Sequence, residues 1–153
     1  MENRDLFSLF SLRPATAADA ANIQRIIHLV QINPMGLSWK RFVLAVNDEG
    51  AIIGCGQVKP HKDGSLELAS IAVLPEWRGR GLARRIIEHL LQRYPGQLYL
   101  TCRSNLEPLY QKFGFHAIGF ADMPPYFRRI SRIVSFYNKL FHQPDHLSVM
   151  RRN

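Results

Sequence analysis

Residues 67–83 read Glu-Leu-Ala-Ser-Ile-Ala-Val-Leu-Pro-Glu-Trp-Arg-Gly-Arg-Gly-Leu-Ala. An apolar strand runs into a short basic glycine turn, and a helix starts at once. Arg78, Gly81 and Ala83 stand at R-x-x-G-x-A spacing, which suits the holding of a pyrophosphate. Gly79 and Gly81 lack a Cβ, so the backbone can tighten and approach a ligand. The first N–H groups of a helix have no intrahelical partner, and with the helix dipole they form an anion site. Arg78, Arg80 and Arg84 add positive charge around it. Taken alone, the short pattern also fits an ordinary turn between two elements. Glu67 is the only acid in the apolar run 66–74. Burial favours the protonated form of a carboxyl group, which suits a base working near neutrality; an acid on the exposed face of a half-buried strand is the plainer alternative.

The elements that must position these residues follow from periodicity. Residues 6–13 read as a strand ended by Pro14. A helix over 17–31 places Ile23, Ile26, Ile27 and Val30 on one face. Segments 41–47 and 51–59 read as strands joined by a hairpin turn at Asp48-Glu49-Gly50. A second turn at His61-Lys62-Asp63-Gly64 leads into strand 65–74; His61 is a second candidate base after Glu67, with an exposed turn residue as the plainer reading. The helix over 81–94 separates Leu82, Ile86, Ile87 and Leu90 from Arg84, Arg85, Glu88 and Arg93. Pro95-Gly96 stops it. Segment 97–102 reads as a strand, 105–113 as a short helix and 115–120 as a strand. After Met123-Pro124-Pro125, Phe127, Ile130, Ile133, Val134, Tyr137, Leu140 and Phe141 recur at helical spacing. The apolar face of that helix must be covered, by its own domain, by a second copy or, as the least favoured of the three, by a membrane surface.

Several short matches in fixed order resemble the GNAT superfamily of N-acetyltransferases. They are Val73-Leu74-Pro75, then Arg78 to Ala83, then Asn105, Tyr110 and Gly114-Phe115, with Leu12-Arg13-Pro14-Ala15-Thr16 and Asp19-Ala20 at the start. The resemblance spans residues 9–120. It implies an α/β fold: a mixed, mostly antiparallel, twisted and splayed central sheet flanked by helices. The whole chain, 1–153, would be a single acetyltransferase domain. Residues 6–120 would be the common core and 121–153 a basic amphipathic extension with an extra C-terminal helix.

The resemblance also implies roles. Arg78, Gly79, Arg80, Gly81, Leu82, Ala83 and Arg84 would bind the pyrophosphate of acetyl-coenzyme A. Backbone atoms of Ile71, Ala72 and Val73 would pair with its pantetheine arm, beside a bulge in that strand. Asn105 would bond the same arm, unless it or Ser104 serves as a helix N-cap. Transfer to an amine requires proton removal, since a free lysine-type amine titrates near ~10.4. Glu67 matches the glutamate that acts as base in the lysine-acetylating branch, and many relatives pass the proton through water instead. Tyr110 matches the tyrosine that serves the departing sulfur as acid, with a core tyrosine as the alternative. Asn33, Trp39 and Gln57 would line the acceptor pocket. No metal is implied.

At 153 residues the chain accommodates one ordinary core, and 46% hydrophobic with 21% charged residues fits a globular protein. Net charge is +8, of which +5 falls from Tyr126 onward, with six Lys/Arg against one Asp. That fits phosphate-bearing partners or solvated surface. Cys55 and Cys102, the only cysteines, form neither a disulfide framework nor a zinc pattern. Cys102 as an acyl-carrying nucleophile lacks an adjacent activating base in sequence. No apolar run approaches the ~20 residues of a membrane span, and the first residues do not read as a signal peptide. A reduced cytoplasmic location is expected.

The reading is therefore an acetyl-coenzyme A-dependent N-acetyltransferase acting by direct attack on a small-molecule or peptide amine, with a homodimer possible through the C-terminal segment. Two rivals remain: a non-catalytic acyl-coenzyme A sensor, and a nucleic-acid binder acting through the basic tail. The helical spacing of Phe127, Phe136 and Tyr137 looks like a packing face more than a stacking platform.

Overall fold

The computed structural model describes residues 9–142 and 146–153. Its sheet has seven strands in the order β1-β2-β3-β4-β5-β7-β6. These are β1 (Phe10–Pro14), β2 (Phe42–Asn47), β3 (Ile52–Pro60), β4 (Leu66–Val73), β5 (Leu98–Arg103), β6 (His116–Ala117) and β7 (Leu147–Arg152). The helices are α1 (Ala20–Leu29), α2 (Leu82–Arg93), α3 (Glu107–Gln111) and α4 (Pro125–Phe141). The mixed, mostly antiparallel sheet with flanking helices is the architecture expected from sequence. Residues 6–8 of the first expected strand lie outside the described residues. The chain separates into two compact units.

The first unit holds the described residues up to Lys59 together with Leu68–Arg93. β1 runs antiparallel to β2, from Phe10↔Asn47 to Pro14↔Val43, and β2 runs antiparallel to β3 with a bulge between Ala45 and Val46. α1 begins after a 3-10 turn, Ala17–Asp19. There the Asp19 carboxylate accepts from Thr16 N (2.7 Å) and Thr16 Oγ1 (3.0 Å). It also accepts both Arg13 guanidinium nitrogens, at 2.8 and 3.0 Å. Ile23, Ile26 and Ile27 recur at i, i+3, i+4 and are buried with Phe42, Leu44, Val46, Ile52, Cys55 and Ala72. α2 buries Leu82, Ile86, Ile87 and Leu90. A Cβ at Gly56 would stand 2.7 Å from Ile86 Cγ2 and from Ile71 Cδ1, so glycine at this point of β3 lets α2 lie close.

The second unit holds Pro60–Glu67 and the described residues from Tyr94. β5 pairs antiparallel with β7, from Leu98↔Arg152 to Arg103↔Leu147, and β6 pairs antiparallel with β7 at His116↔Arg151 and Ala117↔Met150. β4 meets β5 in parallel at Glu67↔Tyr99. Tyr99, Met123, Phe127 and Val149 form a core cluster. Strand β7, absent from the sequence reading, inserts between β5 and β6, so the end of the basic extension belongs to the sheet. The strand expected over 115–120 shrinks to His116–Ala117. A 3-10 turn, Phe120–Asp122, follows Gly119 and bends the chain away. Phe127 is the buried residue of α4. Ile133, Phe136, Tyr137, Leu140 and Phe141 of the same helix are exposed, so the described residues do not cover the face expected from sequence to be covered.

Candidate active site

The phosphate-binding candidate lies wholly in the first unit. After β4, Pro75 opens a one-turn 3-10 helix, Pro75–Trp77, and Arg78 leaves it in extended conformation. Gly79 (φ +76°) and Gly81 (φ +81°) then adopt left-handed backbone, and nothing lies within 4 Å of where a Cβ of either would stand. Glycine is needed here for conformation and leaves the turn open to a ligand. Arg85 N donates to Gly81 O at 3.1 Å and closes the first helical turn. The N–H groups of Leu82, Ala83 and Arg84 precede that bond, at the positive end of a 12-residue helix. The arginines around them are loosely tied. Arg78 Nε donates to Val73 O at 3.3 Å, and the Arg80 guanidinium lies over the Trp77 ring at 4.7 Å. Arg84 Nε pairs with Glu88 Oε1 at 2.8 Å, with its side chain 74% exposed. An exposed pair of this kind is worth little and yields readily to a stronger anion.

Within β4, Ser70 sits at φ +57°, a conformation that a residue with a Cβ adopts only at a cost. This irregularity lies just before Ile71, Ala72 and Val73, where a bulge is expected. Ser70 Oγ accepts from Gln57 Nε2 at 2.9 Å, and its carbonyl accepts from Cys55 Sγ at 3.7 Å. Gln57, read from sequence as an acceptor-pocket residue, is fully buried. Its amide also accepts from Arg41 Nε (3.2 Å) and donates to Gly36 O (3.4 Å). It braces Ser70 and the 33–39 connection. Asn33 is exposed and its Oδ1 accepts from Met35 N at 3.0 Å. Trp39 is half-buried against the α1 core.

The second unit carries the titratable cluster. Glu67 is buried, and its Oε2 lies 2.7 Å from His61 Nε2; Thr101 Oγ1 donates to Oε1 at 3.5 Å. The His61 ring stacks on Tyr126, centroids 3.5 Å apart and 16° between planes, and meets Phe127 edge-on at 5.6 Å. Tyr126 is itself fixed, its N donating to Asp63 Oδ2 at 2.9 Å. His61 is thus not the exposed turn residue of the sequence reading: its side chain is only 11% exposed. His61 Nε2 and the Glu67 carboxylate share one hydrogen bond. Tyr126 is the site residue that sequence reasoning missed; His61 stood there only as a second candidate base, expected to be exposed. One signal was present. The hairpin closes with His61 N donating to Ser65 O at 2.9 Å, and strand alternation puts residue 67 on the same face as 65.

Tyr110 lies on α3, edge-on to Phe115 at 6.3 Å. Burial, with the nearby Cys102 sulfur as the smaller cause, pushes its phenol up to about 12. Asn105 is exposed, in the 3-10 turn Ser104–Leu106. The residues at the N-cap positions are Arg103 and Leu106, with no side-chain cap bond. Ser104 and Asn105 therefore do not cap α3. Burial pushes the Cys102 thiol up to about 11 and the Cys55 thiol up to about 12, so neither offers a thiolate near neutrality. Among the described residues, no cluster of three His, Cys, Asp or Glu could hold a metal, and no helix is long and apolar enough to cross a membrane.

No curated protein sequence matches the chain. Solved structures share its fold. N-acetylglutamate synthase from Neisseria gonorrhoeae, solved with coenzyme A and N-acetyl-glutamate, aligns over 94% of this chain at 19% identity and TM-score 0.70. This chain covers 34% of that enzyme, about a third of its length. A GNAT-family acetyltransferase from Staphylococcus aureus aligns over 94% of this chain and 98% of its own at 14% identity and TM-score 0.67. Arabidopsis thaliana Naa50, in complex with the bisubstrate analogue CoA-Ac-MVNAL, covers 94% and 98% at 15% identity and TM-score 0.61. A family model described as an acetyltransferase (GNAT) domain matches residues 38–117, more than half of the sequence. It takes in the glycine turn at the start of α2, Glu67 and Tyr110, and the chain belongs to the GNAT family of acetyltransferases.

Proposed function

We propose that this protein transfers an acetyl group from acetyl-coenzyme A to a primary amine by direct attack in a ternary complex. The observation that carries the reading is the open, left-handed Gly79–Gly81 turn at the start of α2, ringed by three arginines. Its chemistry fits a pyrophosphate: unpaired N–H groups, a positive helix end and mobile guanidinium groups.

When bound, acetyl-coenzyme A supplies an activated acyl group on sulfur. Arg78, Arg80, Arg84 and the N–H groups of residues 82–84 hold its phosphates. Backbone atoms of Ile71, Ala72 and Val73, with the Asn105 amide, hold its arm. The Glu67–His61 pair takes the proton of the attacking amine, directly or through one water. Burial of Glu67, the 2.7 Å contact and the stacked ring support that role. Tyr110 stays neutral at any working pH and donates a hydrogen bond to the departing sulfur. A thiol titrates near ~8.5, well below this phenol, so Tyr110 stabilises the thiolate more than it protonates it. The acceptor is a small-molecule or peptide amine, with Trp39 and Asn33 as candidate contacts.

Gly81→Val tests the carrying observation. A valine at φ +81° strains the turn and fills the approach, so calorimetry should show acetyl-coenzyme A affinity falling by more than about tenfold. Unchanged affinity removes the pyrophosphate assignment.

A further inference from the structure

The uncovered face of α4 plays no part in that reaction, and its composition is unusual for an exposed helix. Five large apolar side chains, Ile133, Phe136, Tyr137, Leu140 and Phe141, are 54–72% exposed. At 100° per residue, Arg129, Ile133, Phe136 and Leu140 share one stripe (i, i+4, i+7, i+11), with Tyr137 beside it. Arg128, Arg132 and Lys139 form the adjoining stripe. Phe120 extends the surface: it is 42% exposed, and the guanidinium groups of Arg132 and Arg128 lie 5.0 and 5.8 Å from its ring centroid. The 17 residues of α4 include no Asp or Glu.

We propose that this face rests on an anionic lipid bilayer, with α4 parallel to the surface, the apolar side chains of its stripe among the acyl chains, and Arg129 at the end of that stripe reaching, with the basic stripe, to the headgroups. The charge pattern selects this occupant. A second copy docking α4 against α4 brings four cations against four, with no acid on either helix. Nucleic acid offers phosphates to the arginines but no apolar volume for Ile133 and Leu140. A bilayer supplies negative charge and apolar depth together, along the whole ~25 Å of the helix. A helix of this length and charge lies in the interface and does not span it.

Co-sedimentation of the full chain with vesicles tests the proposal. Vesicles of phosphatidylcholine containing phosphatidylglycerol should bind at least about tenfold more tightly than phosphatidylcholine alone, and added salt should weaken the binding. Phe136→Ser with Leu140→Ser, and separately Arg129→Glu with Arg132→Glu, should each lower binding by about tenfold or more. These side chains are exposed, so circular dichroism and melting should stay as in wild type. Should a variant fold poorly, the lipid-charge and salt dependence of the wild type still decides. No sedimentation with either vesicle, or equal sedimentation with both, overturns the proposal. So does a wild-type dimer in light scattering that Phe136→Ser with Leu140→Ser dissociates, which assigns the face to a second copy. Retention on duplex DNA without vesicle binding assigns it to nucleic acid and likewise overturns it.

Discussion

Tyr110 carries a phenol whose burial holds it protonated up to about pH 12. In the proposed reaction, replacing it with phenylalanine removes a donor that would strengthen as charge develops on sulfur. The Tyr110→Phe enzyme should therefore lose about 10–10²-fold in kcat with little change in acetyl-coenzyme A affinity. In the wild type, no loss of rate from Tyr110 ionisation should appear on the alkaline side until near pH 12. A variant with full kcat leaves Tyr110 as a packing partner of Phe115. The Glu67–His61 pair makes a different forecast. Glu67→Gln and His61→Ala should each lower kcat/KM near neutrality by about 10²-fold, and the double variant should be little worse than either, because the two act as a unit. Raising the pH should partly rescue all three as solvent deprotonates more of the amine. Steady-state pH profiles check this; wild-type rate and profile in either single variant contradict the base assignment. Glu67 was legible in sequence as an acid inside an apolar strand. His61 was legible only as a second candidate; its burial was not, because Tyr126, the ring that encloses it, comes from α4, far along the chain.

At the scale of elements, α1 shows how local chemistry sets a start. Asp19 joins Thr16 and Arg13, and the Arg13 guanidinium, then the Thr16 N–H, hold its carboxyl well below the usual carboxylate range. A depressed folded-state value means that the stabilisation is present above the ordinary carboxylate range, near pH ~4, and is lost as the pH falls toward the folded value. Asp19→Asn should thus destabilise the protein by about 1–2 kcal/mol at neutral pH, the partial exposure of Arg13 moderating the effect. The deficit should shrink in melts run well below pH 4. An equal deficit at both pH values removes the charge pairing from the account. Elements with strong periodicity, α2 above all, were legible from sequence to within a residue or two. β7 was not. Its Leu-Ser-Val-Met core is only four residues long before Arg151 and Arg152, and it follows a helix whose basic pattern made the whole tail read as surface. What makes it a strand is pairing with β5 on one side and β6 on the other, a tertiary cause that no local pattern carries. The glycine turn, by contrast, was fully legible, because positive φ at residues 79 and 81 is a demand that sequence states directly.

For the whole molecule, the family model and the mixed sheet make this a GNAT-family acetyltransferase fold, and the identity of the amine in the proposed reaction is the property least encoded in that fold. The region expected to choose it includes Gln57, whose amide is spent on Arg41, Ser70 and Gly36. Specificity then rests on less regular surface, where sequence patterns say little. The central claim of the proposal is direct transfer from acetyl-coenzyme A to an amine without an acyl-enzyme, which the raised thiols of Cys55 and Cys102 favour. Incubating the protein with acetyl-coenzyme A and a broad panel of primary amines, and following free thiol together with the intact protein mass, measures it. The account predicts amine-dependent thiol release, an acetylated amine among the products and an unmodified protein mass throughout. Acetylation of the protein at a cysteine, or acetyl-coenzyme A binding with no amine in the panel raising thiol release, would contradict it.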